Sequence, residues 1–132
     1  MIGQMISDEI VEQNADGALR FVVGQCRDCG TQSFPAALIC TGCQSDDLSR
    51  ITVAADGVVY SLTEVHVGPP QWHRPTRLAY VDLDVGLRVF GHWRGDVCIG
   101  SAVRASIGEV GTTPEGEPLL TYVFELREMA DA

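Results

Sequence analysis

Apolar side chains recur at every second position along most of the chain after residue 50. Alternate side chains of a strand point to opposite faces, so this pattern predicts half-buried β-strands with one face toward a core. The inward positions of the three clearest runs are Ala79, Val81, Leu83 and Val85; Leu87, Val89 and Trp93; and Leu120, Tyr122, Phe124 and Leu126. Two more strands are predicted over 57–67 and, from a weaker pattern, over 103–110.

Turn signals separate these runs, at Asp84-Val85-Gly86 and at Pro114-Glu115-Gly116-Glu117. Five strands in about 80 residues fit a small closed barrel. We therefore expect a mainly β fold in which residues 51–132 form a five-stranded Greek-key barrel of the OB type. A small β-sandwich is the alternative.

Residues 19–50 carry a different pattern. A predicted strand from Leu19 to Val23 leads into Cys26-x-x-Cys29, and Cys40-x-x-Cys43 follows after ten residues. Two residues between cysteines allow one tight turn to deliver two sulfurs to one ion, and four thiolates complete the tetrahedral shell that zinc prefers. All four ligands come from the protein, so the predicted site is structural rather than catalytic.

Iron in a rubredoxin-like electron carrier is the alternative for this site, since four sulfurs also suit iron. The short spacer and the attached barrel favour zinc. A disulfide framework is disfavoured, because the chain has five cysteines, an odd number, and no secretion signal. In the remaining segment, residues 1–18, Ser7 is able to cap a short helix; the alternative is a frayed N-terminal arm.

The charge balance narrows the partners. The formal net charge is −9, and all nine basic residues are Arg. Nucleic-acid binders neutralise phosphates with Lys and Arg, so this composition disfavours a single-stranded nucleic-acid-binding ribbon–barrel module, which stays the alternative function. No apolar run is long enough to span a membrane, and the first residues lack a secretion signal, so we expect a cytoplasmic protein.

A loop between two predicted strands holds the candidate contact residues for a partner or for CoA: His66, Trp72, His73, Arg74 and Arg77. Trp with Arg is a frequent interface anchor pair, and the arginines are able to meet phosphates. The alternative is a surface loop whose Trp72 covers the end of the barrel. Neither Asp82 with Asp84, expected on a solvated strand face, nor the histidines suggest a catalytic set.

Cys98 stands apart from the four paired cysteines. Its apolar neighbours Val97 and Ile99 predict a buried, inert thiol. A nucleophilic Cys98 would need a base such as His92. A hydrolase or aldolase that acts alone through Cys98 or His66 is therefore the rival to a protein without catalytic residues.

The motifs together resemble the DUF35 family. The resemblance lies in Cys26-Arg27-Asp28-Cys29-Gly30, Phe34-Pro35 and Cys40-Thr41-Gly42-Cys43, then in 57–63, 79–86, 99–104 and 122–124. It covers about residues 17–127 and departs from the family at Thr41-Gly42, where a proline is common after the third cysteine. The family implies a rubredoxin-like zinc ribbon followed by an OB-fold.

The resemblance also implies a function. Family members lack catalytic residues of their own and accompany thiolase-fold enzymes that process acyl-CoA esters, among them retro-aldolases of steroid side-chain degradation. Others accompany acyltransferases. The expectation is a non-catalytic accessory subunit of such a lipid-metabolism complex, which stabilises its partner and helps to hold the CoA ester, with structural Zn²⁺ as its cofactor.

Overall fold

The computed structural model describes residues 4–5, 10–13 and 18–127, the first pair by its backbone alone. These residues form ten strands: β1 (Gln4–Met5), β2 (Val11–Gln13), β3 (Leu19–Cys26), β4 (Gln32–Ser33), β5 (Leu48–Ala54), β6 (Asp56–Val65), β7 (Thr76–Leu83), β8 (Arg88–Trp93), β9 (Ala102–Thr112) and β10 (Pro118–Leu126). Within the described ranges there is no helix of a length and apolarity that could cross a membrane.

Strands β6 to β10 close into a barrel. β6, β7 and β8 form an antiparallel meander, and β9 returns to pair with β6. β10 then fills the gap, antiparallel to β9 and parallel to β8, so the ring runs β6–β7–β8–β10–β9 and back to β6. This is the predicted five-stranded barrel of the OB type, and the sandwich alternative is wrong.

The ribbon sheet is built on β3, which pairs with β2, β4 and β5. β5 continues this sheet to Ala54 and so runs across the domain boundary predicted at residues 50 and 51. Only Ala55 separates β5 from the first barrel strand. The ribbon sheet and the barrel therefore follow each other without a linker.

One apolar core serves both sheets. Phe21 of β3 is fully buried, with its ring edge-on to Tyr122 at a centroid distance of 4.9 Å and 6.0 Å from the ring of Phe124. Val23 and Val53 of the ribbon sheet belong to the same buried cluster as the inward residues of the barrel. Burying a side chain of this size is worth about 1.5–3 kcal/mol, so β3 is a major part of the barrel's own core.

Three expectations change at the edges of these elements. Val85 and Leu126, predicted to face the core, are exposed, because Val85 lies in the turn after β7 and Leu126 is the last residue of β10. Within 1–18 the structure shows the short strands β1 and β2, so Val11–Gln13 is extended and not helical. The proposed helix cap at Ser7 lies outside the described residues.

Candidate functional site

Two turns at the edge of the ribbon sheet deliver the four cysteines. Cys26 ends β3, and a turn stabilised by the Gly30 N–H donating to the Cys26 carbonyl (3.0 Å) presents Cys29. The second turn repeats this bond, with the Gln44 N–H donating to the Cys40 carbonyl (3.0 Å). Gly30 and Gln44 both adopt positive φ, which reverses the chain tightly after each pair.

The sulfur positions fit a single tetrahedral metal. All four Sγ atoms lie within 4.8 Å of one another, with Cys26 and Cys43 at 3.6 Å and Cys29 and Cys40 at 3.5 Å. Zinc with Zn–S bonds of about 2.3 Å needs sulfurs about 3.8 Å apart. The set is therefore already arranged as a closed four-sulfur shell.

Local donors prepare two of these sulfurs for a metal. The backbone N–H groups of Cys43 and Gly42 point at Cys40 Sγ, and they lower the pKa of that thiol to about 6. A hydrogen bond with Thr31 likewise lowers the pKa of Cys29. Because metal ligands must be thiolates, these contacts favour the charged form that binds zinc.

A second candidate site lies at one end of the barrel, where the loop between β6 and β7 lies along β9. The Thr112 N–H donates to the Gln71 carbonyl (2.8 Å) and the His73 N–H donates to the Val110 carbonyl (3.0 Å). Between these bonds Trp72 forms a bridge with Gly111. A Cβ at Gly111 would overlap the Gln71 carbonyl oxygen, so glycine is what permits this close approach.

The docked loop encloses a cleft of about 280 Å³. Of the predicted contact residues, His73, Arg74 and Arg77 line it, together with His92, Arg94 and Glu109. Trp72 is half-buried, its ring 5.8 Å from that of His92. His66 is exposed and is not among the residues that line the cleft.

Most charges of this cleft are already paired. His73 lies 3.3 Å from Glu109, and Arg77 pairs with Glu64 at 3.1 Å. Arg74 donates instead to the Gly68 carbonyl, at 2.6 Å. Arg74 thus keeps a full positive charge against a neutral acceptor, which makes it the cleft residue most able to attract an anion.

Comparisons with known proteins identify both parts of the chain. Residues 15–49 match the family model described as "ChsH2, rubredoxin-like zinc ribbon domain", and residues 51–108 match "ChsH2, C-terminal OB-fold domain". The benzoylsuccinyl-CoA thiolase subunit BbsA of Geobacter metallireducens is 30% identical over 89% of this chain and 82% of its own length. The chain belongs to the family of ChsH2-like proteins, in which a zinc ribbon precedes an OB-fold.

Two proteins described as DUF35 proteins are also similar to this chain, which belongs to the DUF35 family. A DUF35 domain-containing scaffold protein of Methanocaldococcus jannaschii is 28% identical over 78% of this chain and 77% of its own length. A chain in the solved structure of the Ltp2-ChsH2(DUF35) aldolase superposes with a TM-score of 0.65 and 29% identity, over 81% of this chain and 84% of that one. The zinc-ribbon match and the four-sulfur geometry together confirm structural zinc.

Cys98 corrects another expectation. In this DUF35 chain it is exposed, in the loop between β8 and β9, because the buried position of that loop is taken by Val97. Its Sγ lies 3.3 Å from Ser101 Oγ, while the His92 ring packs on Trp72. The contacts of Cys98 therefore give no support to a nucleophile activated by His92.

Asp82 and Asp84 each meet an arginine. Asp82 accepts two bonds from Arg88, at 2.6 and 3.1 Å, and Asp84 lies 3.4 Å from Arg127. The Arg88 hydrogen bond lowers the pKa of Asp82, which keeps it charged near neutral pH. Neither carboxyl group is therefore arranged as a general acid.

The sequence reasoning missed an aromatic patch on the outside of the barrel. Tyr60, Tyr80 and Phe90 lie on neighbouring strands, and each is about half exposed. The alternation could have revealed this patch. Each ring follows or precedes an inward residue, and so occupies an outward position at which a polar side chain is expected.

Proposed function

We propose that this chain is a non-catalytic subunit of a thiolase-fold enzyme that processes an acyl-CoA ester. It would bind and stabilise the catalytic subunit and help to hold the CoA ester. The observation that carries this proposal is the likeness to BbsA, which is named as a thiolase subunit and is matched over most of both chains. The likeness to the DUF35 chain of the aldolase points to the same role.

The geometry supports a role without chemistry of its own. The zinc shell is filled by four cysteines and leaves no position for a substrate or an activated water. Cys98 contacts a serine hydroxyl rather than an imidazole, and His66 lies away from the cleft. We therefore assign bond making and breaking to the partner's residues.

The barrel-end cleft is our candidate for contact with CoA or with the partner. Arg74 would give charge-assisted hydrogen bonds to a phosphate, and His73 and Arg77 would have to exchange a carboxylate partner for it. Trp72 would position this loop, while His66 would lie at its outer rim. The partner would be either a retro-aldolase that acts on a steroid side chain or a thiolase that acts on a smaller acyl group.

We place the complex in the cytoplasm, where free thiols and a zinc-bound ribbon persist. The test is affinity purification of the tagged chain from its native cell, followed by mass spectrometry and an assay for acyl-CoA turnover. We expect a stoichiometric thiolase-like protein, and turnover only when both proteins are present. Recovery of the chain alone, or with nucleic acid, would contradict the proposal, as would turnover by the isolated chain that is lost in Cys98→Ala.

A further inference from the structure

The outer face of the meander carries an apolar patch that its own fold leaves uncovered. The patch consists of two outward residues from each of three neighbouring strands: Val58 and Tyr60 of β6, Tyr80 and Asp82 of β7, and Arg88 and Phe90 of β8. Tyr80 and Phe90 are directly opposite each other, with ring centroids 4.9 Å apart. Tyr60 is 54% exposed, and Tyr80 and Phe90 are each 46% exposed. The other six aromatic residues of the chain are buried or partly buried, so the grouping of three exposed rings needs an explanation.

A backbone irregularity helps to build the patch. The register between β6 and β7 shifts between Val59 and Ser61, so Tyr60 is the extra residue of a β-bulge. The bulge changes the phase of the strand: Val59 points into the core before it, and Leu62 packs against the core after it. Bulges of this kind re-aim side chains at functional surfaces. Here the bulge holds Tyr60 outward, beside Arg88.

Arg88 is fixed across the patch. Its guanidinium lies over the Tyr60 ring, 3.6 Å from the ring centroid, and is held by two hydrogen bonds to Asp82. These bonds use Nε and Nη2, and the Tyr60 side chain is a further partner of the same guanidinium. A stacked, ordered arginine beside aromatic rings is the arrangement found at interface hot spots, because little side-chain entropy remains to be lost on binding.

The charges of the patch decide between its possible occupants. The patch holds one Asp and one Arg that are paired with each other, so it offers no spare positive charge to a phosphate backbone. A second copy of this chain would bring another net charge of −9 toward the same surface. We therefore favour a different protein, one that presents an apolar surface and a carbonyl or carboxylate acceptor for Arg88.

We propose that this outer face is the surface on which the thiolase-fold partner subunit docks, with Phe90, Tyr80 and Tyr60 as its apolar anchors and Arg88 as its polar one. This inference rests on the proposed function. It assigns the contact to the β6–β7–β8 face rather than to the barrel-end cleft, which stays available for the CoA ester.

The test compares variants in the complex. The tagged chain is co-expressed with the partner identified by purification of the wild type, and the affinity of each purified variant for that partner is measured. Phe90→Glu places a charge within the patch, and Tyr80→Ser removes a ring without adding one. The matched control is Ile99→Glu, at a residue that is 68% exposed in the loop between β8 and β9. Zinc content and melting temperature establish that each variant is folded.

We expect Phe90→Glu to weaken partner binding at least tenfold and Tyr80→Ser to weaken it severalfold, while Ile99→Glu binds as the wild type does. The inference would be overturned if folded Tyr80→Ser binds the partner with wild-type affinity and Phe90→Glu, where it folds, does the same. The proposed function would remain intact in that case. A wild type that captures no partner would instead remove the proposed function. A chain that dimerises alone, or binds single-stranded DNA, and loses that property in the patch variants would show that the face serves a different occupant.

Discussion

The zinc-binding segment of residues 27–47 and the barrel obtain their stability from different sources. Between Arg27 and Asp47 the only buried residue is Cys40, and Phe34 is the one side chain of the segment that packs against the apolar core, so this segment has almost no core of its own. The barrel has a continuous apolar core that runs from Val59 to Phe124. A segment without a core needs another source of order, which the zinc ion supplies, because its binding energy is folding energy.

Strand β3 connects the zinc-binding segment to the barrel core. Its end supplies Cys26 to the metal, while Phe21, five residues earlier, fills the core against Tyr122. The ribbon is therefore divided: β3 and β5 pack on the barrel core, whereas residues 27–47, which include β4, depend on the ion. This division leads to predictions that separate the two halves, in order of decreasing effect.

The largest effect is expected from removing the metal. Cys40→Ser removes one of the four zinc ligands, and we expect loss of bound zinc, measured by atomic emission, and poorer solubility. Hydrogen exchange should then rise over residues 27–47 while the amides of β6 to β10 stay protected. Apparent zinc-binding energies of about 10–16 kcal/mol explain why this segment cannot stay ordered without it.

The matched control is Cys98→Ser, which changes an exposed thiol outside the shell and should keep its zinc. A Cys40→Ser protein that keeps both its metal and the slow exchange of residues 27–47 would contradict the division. If the barrel unfolds together with residues 27–47, the barrel also depends on zinc and the two regions are not independent.

A smaller effect is expected at the connecting strand. Phe21→Ala opens a cavity between the ribbon sheet and the barrel, and truncations of this kind cost about 3–5 kcal/mol. Urea unfolding should show this loss with the zinc still bound. Phe90→Ala, which removes a ring from the exposed face, should cost less than about 1 kcal/mol. Equal losses in the two variants would mean that Phe21 does not join the halves.

The smallest effect is expected at a charge cluster that ties strands of the barrel together. Arg104 donates two hydrogen bonds to Asp56, at 2.8 and 3.2 Å, and Arg127 lies 3.5 Å from the same carboxylate. The Arg104 bonds lower the pKa of Asp56 below its usual value of 3.8. Ionised Asp56 therefore stabilises the fold above about pH 4, and this contribution disappears as the pH falls through the lowered pKa.

We expect Asp56→Asn to cost about 1–2 kcal/mol at pH 7, measured by urea unfolding. The difference from the wild type should shrink as the pH falls below about 4. Zinc should leave at a higher pH than this, because protons compete for the thiolates, so acid should disorder the turns before it weakens the barrel. A stability difference that is independent of pH would show that Asp56 acts by packing and not by charge.

The sequence predicted the strands whose side chains alternate regularly and the cysteine ligands of the metal. The cysteine spacing defined the metal shell, and alternation located β7, β8 and β10 within one or two residues. β9 was underestimated: it is the longest described strand, but Gly108 and Glu109 break its apolar alternation after Ile107. Its pairing with both β10 and β6 stabilises it, and no local signal shows such long-range pairing.

Other errors have the same origin. β5 was missed because its half-buried side chains are ordered by pairing with β3 rather than by its own alternation. Cys98 was placed inside from its apolar neighbours, but the loop buries Val97 alone. The bulge at Tyr60 shifts the phase of β6 by one residue, and its cause lies in the register with β7.

The place of β10 in the ring has a consequence for synthesis on the ribosome. β10 emerges after the other barrel strands, and it joins β8 to β9, so the barrel stays an open sheet until residues 118–126 have left the exit tunnel. The four cysteines lie within 18 consecutive residues and are able to take up zinc long before that. During this interval Phe21 is not packed against Tyr122 and Phe124, and the nascent chain exposes the apolar surface of an incomplete core. A ribosome that stalls before β10 would therefore release a metal-bound but aggregation-prone fragment, a natural client for a chaperone.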